Sequence, residues 1–469
     1  MQNITLQLNS HSSTPLYRQL YRYVIDEMAA GRIAPREKLP SKRALAQHLG
    51  VSINTVDTAY QMLVAEGYVD AKAKSGFFAA ELSRPPAVLH SAPAAEKDVP
   101  APVWQVDFGT RAIDTSLFPR KAWARLMRDV LAQDSEVLNP GHRQGDENLR
   151  SAICAYLHAY RGVVCTAQQI VVGAGIEYLV GQLARMLRQH TFAVENPGYA
   201  RTGHILRNNA VRTVNVPVDA EGMNDAALAA SGADIAYVTP SHQFPTGAVM
   251  PISRRQNLLQ WAGEKDGRYI VEDDYDSEFR FSSQPIPAMQ GMDTQHKVIY
   301  VGTFSKSIAP GIRMAYMVLP QTLLALYRRT FGLYSCTVSR LEQQAVFRLL
   351  DGGYFARHLR RLRKAYRLRR DALVSALHSE FGTAVAIAGS HTGLHVLVTL
   401  PAAQSEAALV QRAESYGVRC TGLSRYYHAA ADACPANTVV LGYAGLSPAQ
   451  IADGIKILAK AWRGEDIPV

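Results

Sequence analysis

Val298-Ile299-Tyr300-Val301-Gly302-Thr303-Phe304-Ser305-Lys306-Ser307-Ile308-Ala309-Pro310-Gly311-Ile312-Arg313 is the stretch on which the reading of the fold turns. Its first four residues are apolar, as in a buried strand, and the remainder is a loop punctuated by glycine and proline. One lysine stands in that loop between two serines, with Arg313 seven positions on. This set suits an aldehyde that carries a phosphate. The Lys306 amine takes the aldehyde as a Schiff base, and Thr303, Ser305 and Arg313 donate to the phosphate.

Outward from this loop the pattern is α/β. Ile170-Val171-Val172, Ile235 to Thr239, and Tyr269-Ile270-Val271 read as further strands between helical stretches, which predicts a mainly parallel sheet. Gly173-Ala174-Gly175, Pro240 to Gly247, Asp273 to Tyr275 and Thr303 to Lys306 each lie just past the carboxyl end of a predicted strand, where open α/β sheets bind ligands. If the aldehyde sits on a pyridine ring, the ring draws electrons only while its nitrogen is protonated, so a carboxylate must face it. Asp273 is placed for that. Tyr275 is within reach of a ring oxygen, Gly175-Ile176 opens a helix suited to a phosphate, and Tyr199 is the candidate to stack on the ring. The ordinary alternatives are a helix cap or ion pair for Asp273, core packing for the two tyrosines and a structural ion pair for Arg313. After about residue 340 helices return, with many arginines from Arg348 to Arg370 that read as a solvated helix face or, less simply, as a basic track. The apolar runs Leu394 to Leu400 and Thr438 to Leu441 suit a smaller α+β domain.

The chain has 469 residues, 48% hydrophobic and 19% charged, a globular composition with room for two or three domains. A formal net charge of +10 favours an anionic partner such as nucleic acid. Five scattered cysteines with no CxxC pair argue against a zinc site or a disulfide framework, and no metal is expected. Met1 to Leu8 has no charged and apolar leader, and no apolar run reaches membrane-spanning length, so no membrane is expected.

Residues 1–81 read as a separate unit. Leu16, Leu20, Val24 and Met28 give the first helix an apolar face; Ser41 caps a second helix that Gly50 closes; Ser52 caps a third with Val56, Ala59, Tyr60 and Leu63 on one stripe. Two short strands around Lys72-Ala73-Lys74-Ser75-Gly76 complete a winged helix-turn-helix. Residues 82–105, rich in Pro and Ala, read as a semi-stiff linker.

Together these motifs resemble a known fusion. Asn196-Pro197-Gly198-Tyr199, Pro240 to Gly247, Glu272 to Phe279 and the Lys306 loop resemble a fold-type I aminotransferase dependent on pyridoxal 5'-phosphate. Leu39-Pro40-Ser41-Lys42-Arg43, Leu49-Gly50-Val51-Ser52, Asn54-Thr55-Val56, Glu66-Gly67-Tyr68 and Ser75-Gly76 resemble a GntR-type winged helix. In this order the chain resembles the MocR-type subfamily of GntR regulators. That implies a winged helix over 1–81, a linker over 82–105, and an aminotransferase-like domain over 106–467, its large part about 106–340 and its small C-terminal part about 341–467. It implies Lys306 as the Schiff-base lysine, Asp273 at the ring nitrogen, Tyr275 at the ring oxygen, Tyr199 on the ring face, and Gly175, Ile176, Thr303, Ser305 and Arg313 around the phosphate. On DNA it implies Arg43, Ser52, Asn54 and Thr55, with Lys72, Lys74 and Gly76 on the wing. The implied partners are a double-stranded DNA operator, an amine or pyridoxal phosphate effector, a second copy of the chain with exchanged heads, and RNA polymerase, in a bacterial cytoplasm at the nucleoid.

The sequence departs from the aminotransferase pattern at three points. Phe244 stands where an Asn would hydrogen-bond the ring oxygen. Ile176 stands where a hydroxyl would follow the glycine of the phosphate loop. Val439 to Tyr443 lacks the arginine that grips a substrate carboxylate, leaving Arg201, Arg419 and Arg425 as possible effector contacts. These gaps favour a regulator that senses pyridoxal phosphate, or an amine reacting with it, over the alternative of a competent aminotransferase with a docking domain. At most a weak half-reaction is expected.

Overall fold

The periodicity of apolar positions sets the strands and helices of this chain. The computed structural model describes residues 6, 8–10, 12–82, 103–133, 135–281, 286–401, 404–428 and 434–464. Most of the linker expected over 82–105 lies outside them. The backbone divides into two compact units, Met1–Ala101 and Pro102–Val469.

In the first unit α1 (Leu16–Ala29), α2 (Lys42–Leu49) and α3 (Ile53–Ala65) enclose a small core, and β1 (Val69–Lys72) pairs antiparallel with β2 (Gly76–Ala79) as the wing. Ser41 Oγ accepts from the Ala44 N–H at 3.2 Å and Ser52 Oγ from the Thr55 N–H at 3.1 Å, so both predicted caps form. Gly50, at φ 66°, ends α2 in the left-handed region that favours glycine. Val56, Ala59, Tyr60 and Leu63 are all buried, and the Tyr60 hydroxyl donates to the Pro40 carbonyl at 3.0 Å.

The second unit starts with β3 (Val106–Asp107), α4 (Arg120–Gln133) and α5 (Glu147–Arg161). Then strands and helices alternate: β4 (Ile170–Gly173), α6 (Ile176–Met186), β5 (Phe192–Asn196), α7 (Ala200–Asn208), β6 (Thr213–Asp219), β7 (Gly222–Met223), α8 (Asp225–Ala230), β8 (Ile235–Val238), α9 (Ile252–Gly263), β9 (Tyr269–Asp274), β10 (Val298–Thr303) and β11 (Ala315–Val318). They form an eight-stranded sheet in the order β4-β11-β10-β9-β8-β5-β6-β7. The run β10-β9-β8-β5-β6 is parallel, while β11 is antiparallel to both its neighbours. Both faces are buried along β4, β11, β10, β9, β8 and β5, as a parallel sheet demands, while β6 nearer the edge is partly exposed. Ile299 and Val301 pack with α6, and Tyr300 faces the opposite core with Phe304 and Tyr316.

After α10 (Gln321–Phe331) and α11 (Arg340–Asp351), the 28-residue α12 (Tyr354–Phe381) leads into a second sheet. There β12 (Ala386–Ala388), β13 (His395–Thr399), β16 (Thr438–Gly442) and β15 (Thr421–Gly422) pair in that order, all antiparallel. The α13 (Glu406–Ser415) and α14 (Pro448–Arg463) helices accompany it, and β14 (Val418–Arg419) pairs with β3.

The arginine run of α12 is a solvated face only in part: Arg357, Arg360 and Arg361 are exposed, while others are tied to loops. Arg363 Nε donates to the Glu278 carbonyl at 2.7 Å, Arg367 to that of Phe281 at 3.1 Å, and Arg369 to that of Ala444 at 2.6 Å. Arg370 donates to the Ser390 carbonyl at 3.0 Å. Guanidinium forks here tie the helix to loops that lack enough backbone donors. No helix among the described residues is long and apolar enough to cross a membrane.

Candidate functional site

The carboxyl ends of β4, β5, β9 and β10 meet at one cavity, and each contributes a predicted side chain. Lys306, Asp273, Tyr275, Tyr199, Ile176 and Arg313 line it, together with Thr303 and Ser305. The loop after β10 is folded on its own hydroxyls: Thr303 Oγ1 lies 3.1 Å from Ser305 Oγ and accepts from the Ser305 N–H at 3.1 Å.

The Lys306 Nζ donates to the carbonyls of Thr110 at 2.9 Å and Arg111 at 3.4 Å. Burial pulls its pKa down to about 8; the Asp276 carboxylate opposes that shift and Arg111 adds to it. The side chain is half-buried in area because its flank opens on the cavity. A lysine held this way is neutral far more often near neutral pH than a solvated lysine, and the neutral form is the one that attacks an aldehyde.

Three consecutive acids occupy the end of β9, and the two-residue period of the strand sorts them. Glu272 accepts from the N–H groups of Met289 at 2.8 Å and Gln290 at 2.9 Å. Asp274 pairs with Arg161 at 2.7 Å and accepts from the Tyr300 hydroxyl. Of the three, only Asp273 faces the cavity. Its Oδ2 accepts from the Tyr237 hydroxyl at 2.6 Å, while its buried Oδ1 has no partner. Burial pushes this carboxyl up to about 7, against the pull of the Tyr237 bond, and nearby Asp274, Glu195 and Asp276 push the same way. A cationic N–H brought to Oδ1 would satisfy it and restore its charge.

The Tyr275 hydroxyl lies 2.9 Å from His242 Nδ1, and that nitrogen lies 3.0 Å from Asp276. The His242 ring is fully buried and stacks on Tyr275 at 5.9 Å. His242 thus braces the hydroxyl of a cavity residue. Tyr199 stands at the start of α7 with its ring edge-on to Phe244, 5.7 Å between centroids.

Gly175, which is not itself among the lining residues, precedes α6 at φ 92°, in the region glycine favours. A Cβ there would lie 3.0 Å from Arg313 Nη2, so the guanidinium packs directly on the glycine. The helix start has no side-chain cap. Glu177 pairs with Arg201 and, at 3.3 Å, with Arg313 Nη2.

The residues expected around an effector separate. Arg201 lines the cavity, but Arg419 on β14 pairs with Asp107 at 3.2 Å and Arg425 is exposed in the short 3-10 helix Leu423–Tyr426, both outside the lining. Sequence reasoning missed Arg111 and His395, which also line it. They come from far along the chain and carry no local motif. The Nε2 of His395 lies 3.0 Å from the Pro245 carbonyl, and burial pulls its pKa down to about 3, so it stays neutral.

In the first unit Arg43 and Asn54 are exposed, as are Lys72 and Lys74, while Gly76 is half-buried at the end of the wing turn. Ser52 and Thr55 turn their hydroxyls on each other at 2.9 Å. Asp57 on α3 is paired with Lys42.

These residues fit pyridoxal phosphate on their own geometry: an amine with a lowered pKa, an orphaned carboxylate oxygen opposite, and an uncapped helix start beside an arginine. Residues 105–457 match the family Aminotransferase class I and II, and residues 16–79 match Bacterial regulatory proteins, gntR family. The chain is 39% identical to the HTH-type transcriptional regulator YdeL of Bacillus subtilis over 98% of this chain and 100% of that one. It is 33% identical to the probable rhizopine catabolism regulatory protein MocR of Rhizobium meliloti, over 97% and 96%. With the pyridoxine biosynthesis regulator PdxR of Corynebacterium glutamicum it shares 30%, over 91% and 92%. Among solved structures, the kynurenine aminotransferase of Pyrococcus horikoshii, crystallised with PMP, superposes with a TM-score of 0.69 at 26% identity, over 78% of this chain and 92% of that one. The aminotransferase class I and II fold is a pyridoxal-phosphate-dependent one. With a GntR head that binds DNA and a complete aminotransferase-like body, the chain belongs to the MocR-type subfamily of GntR transcriptional regulators.

Proposed function

We propose that this regulator senses pyridoxal phosphate, or an amine that reacts with the cofactor held at Lys306, and controls vitamin B6 or amine and amino-acid genes. The observation that carries this reading is Asp273: it lines the same cavity as Lys306, and its buried Oδ1 has no partner. When bound, the cofactor supplies an aldehyde and an electron-withdrawing ring. Lys306 would take the aldehyde, Asp273 would keep a proton on the ring nitrogen, and Tyr275, braced by His242, would meet the ring oxygen. Tyr199 would cover the ring. Arg313, Ser305, Thr303 and the Gly175-Ile176 helix start would hold the phosphate.

The absence of an arginine from Val439–Tyr443 supports sensing over turnover. The head would meet an operator through Arg43, Asn54 and Thr55 at α3, with Lys72 and Lys74 on the wing. A homodimer would bring two heads to a paired site.

Adding pyridoxal phosphate to the purified protein should produce the visible absorption change of lysine capture. Lys306→Ala should abolish that change and the effect of the cofactor on operator binding, with the far-ultraviolet circular dichroism unaltered. No absorption change in the natural protein would sink the proposal, and rapid multiple turnover of an amino acid would favour the aminotransferase alternative.

A further inference from the structure

We infer that Glu177 is an internal competitor for the cofactor phosphate, and that it sets how readily the site empties. This rests on the reading of the cavity as a pyridoxal phosphate site and deepens it.

Glu177 is the second residue of α6, at the helix start where an anion is welcome. Its own carboxylate caps no N–H of the helix start but holds the neighbouring cations instead. One oxygen holds Arg201 and the other lies 3.3 Å from Arg313 Nη2, the cation placed for the phosphate. Arg313 is pinned from behind, because its guanidinium packs on Gly175, where any Cβ would sit 3.0 Å away. It therefore exchanges partners in place rather than swinging to a new site. The neighbouring Ile176 offers no hydroxyl to add to the phosphate's donors.

A phosphate entering this corner must part Glu177 from Arg313 or accept a like charge within a few ångströms. Glu177 has somewhere to go, since its second oxygen is already on Arg201. The bridge is also weak enough to open: the side chains of Glu177, Arg201 and Arg313 are 34%, 44% and 55% exposed, so water and salt screen it. Cofactor binding then costs one ion pair at every loading. A permanent cofactor site gains nothing from that cost, whereas a sensor gains an occupancy that follows cofactor concentration. Arg201 keeps Glu177 as its partner when the phosphate takes Arg313.

The test compares the full-length natural protein with Glu177→Gln, which keeps the shape and the hydrogen-bonding reach while removing the charge. Pyridoxal phosphate is titrated by absorbance, and inorganic phosphate by its effect on the unfolding temperature. The expected result is pyridoxal phosphate binding about tenfold tighter in the variant, together with a larger stabilisation by inorganic phosphate. Equal or weaker binding of both ligands would overturn the inference, since it would make Glu177 a support for the arginines rather than their competitor. If neither protein captures pyridoxal phosphate, the cofactor reading fails, and the inorganic phosphate arm still decides the role of Glu177.

Discussion

At the scale of single residues, Lys306 and Asp273 divide the chemistry by their surroundings. Burial lowers the amine to about 8 and raises the carboxyl to about 7, and both shifts favour the neutral forms. The neutral amine is the reactive one. Capture of pyridoxal phosphate should therefore speed up as pH rises toward about 8 and level off above it. Stopped-flow absorbance across this range checks the sign, and a rate that falls as pH rises from 6 to 8 would contradict it. These two residues were legible because each sits at the end of a recognisable strand. The Thr110 and Arg111 carbonyls that hold the amine were not, since no local pattern links them to a lysine 196 and 195 residues away. Glu177 was visible in the helix-opening motif, but nothing in the sequence shows that its side chain turns back onto two arginines. Arg419 and Arg425 illustrate the converse: a suitable residue type, placed elsewhere.

Helices and strands carry the next set of consequences. Both cap serines of the head were readable because a cap is a local device, with donor and acceptor three residues apart. Ser52 was also expected to meet DNA, yet its hydroxyl serves the Thr55 N–H and hydroxyl. Ser52→Ala should cost α3 about 1 kcal/mol, read as faster amide exchange in the helix's first turn in the full-length protein. An unchanged exchange rate there would show that the cap contributes nothing. The long α12 was misread in part, for the opposite reason. Arginine spacing shows which face a helix offers, but not that loops 20 to 86 residues away present carbonyls to it. The three acids of β9 lay between these cases. Strand periodicity separates Asp273 from its neighbours once the strand's extent is known.

Across the whole molecule, the order of domains and the mainly parallel character of the large sheet were readable from the succession of apolar runs. The antiparallel β11, set between β4 and β10, was not, because a short apolar run does not state its direction. The apolar runs at Leu394–Leu400 and Thr438–Leu441 were read as belonging to a small domain, and the structure adds that β13 and β16 pair there. The arginine ties of α12 also bear on how this protein would respond to salt. Arg363, Arg367 and Arg369 keep their charge on neutral carbonyls, but their donors are held in place there. Residues 1–80 hold nine Lys or Arg, and Arg32, Arg36 and Lys42 of these are paired with carboxylates. Nine less three leaves six per head, so counterion release should give a log–log salt slope no steeper than about −5 for one bound head and about −11 for two. Operator titrations at several ionic strengths measure that slope directly. A value well beyond −11 would mean that the aminotransferase-like body grips the duplex too, and a value between the two would count the heads engaged.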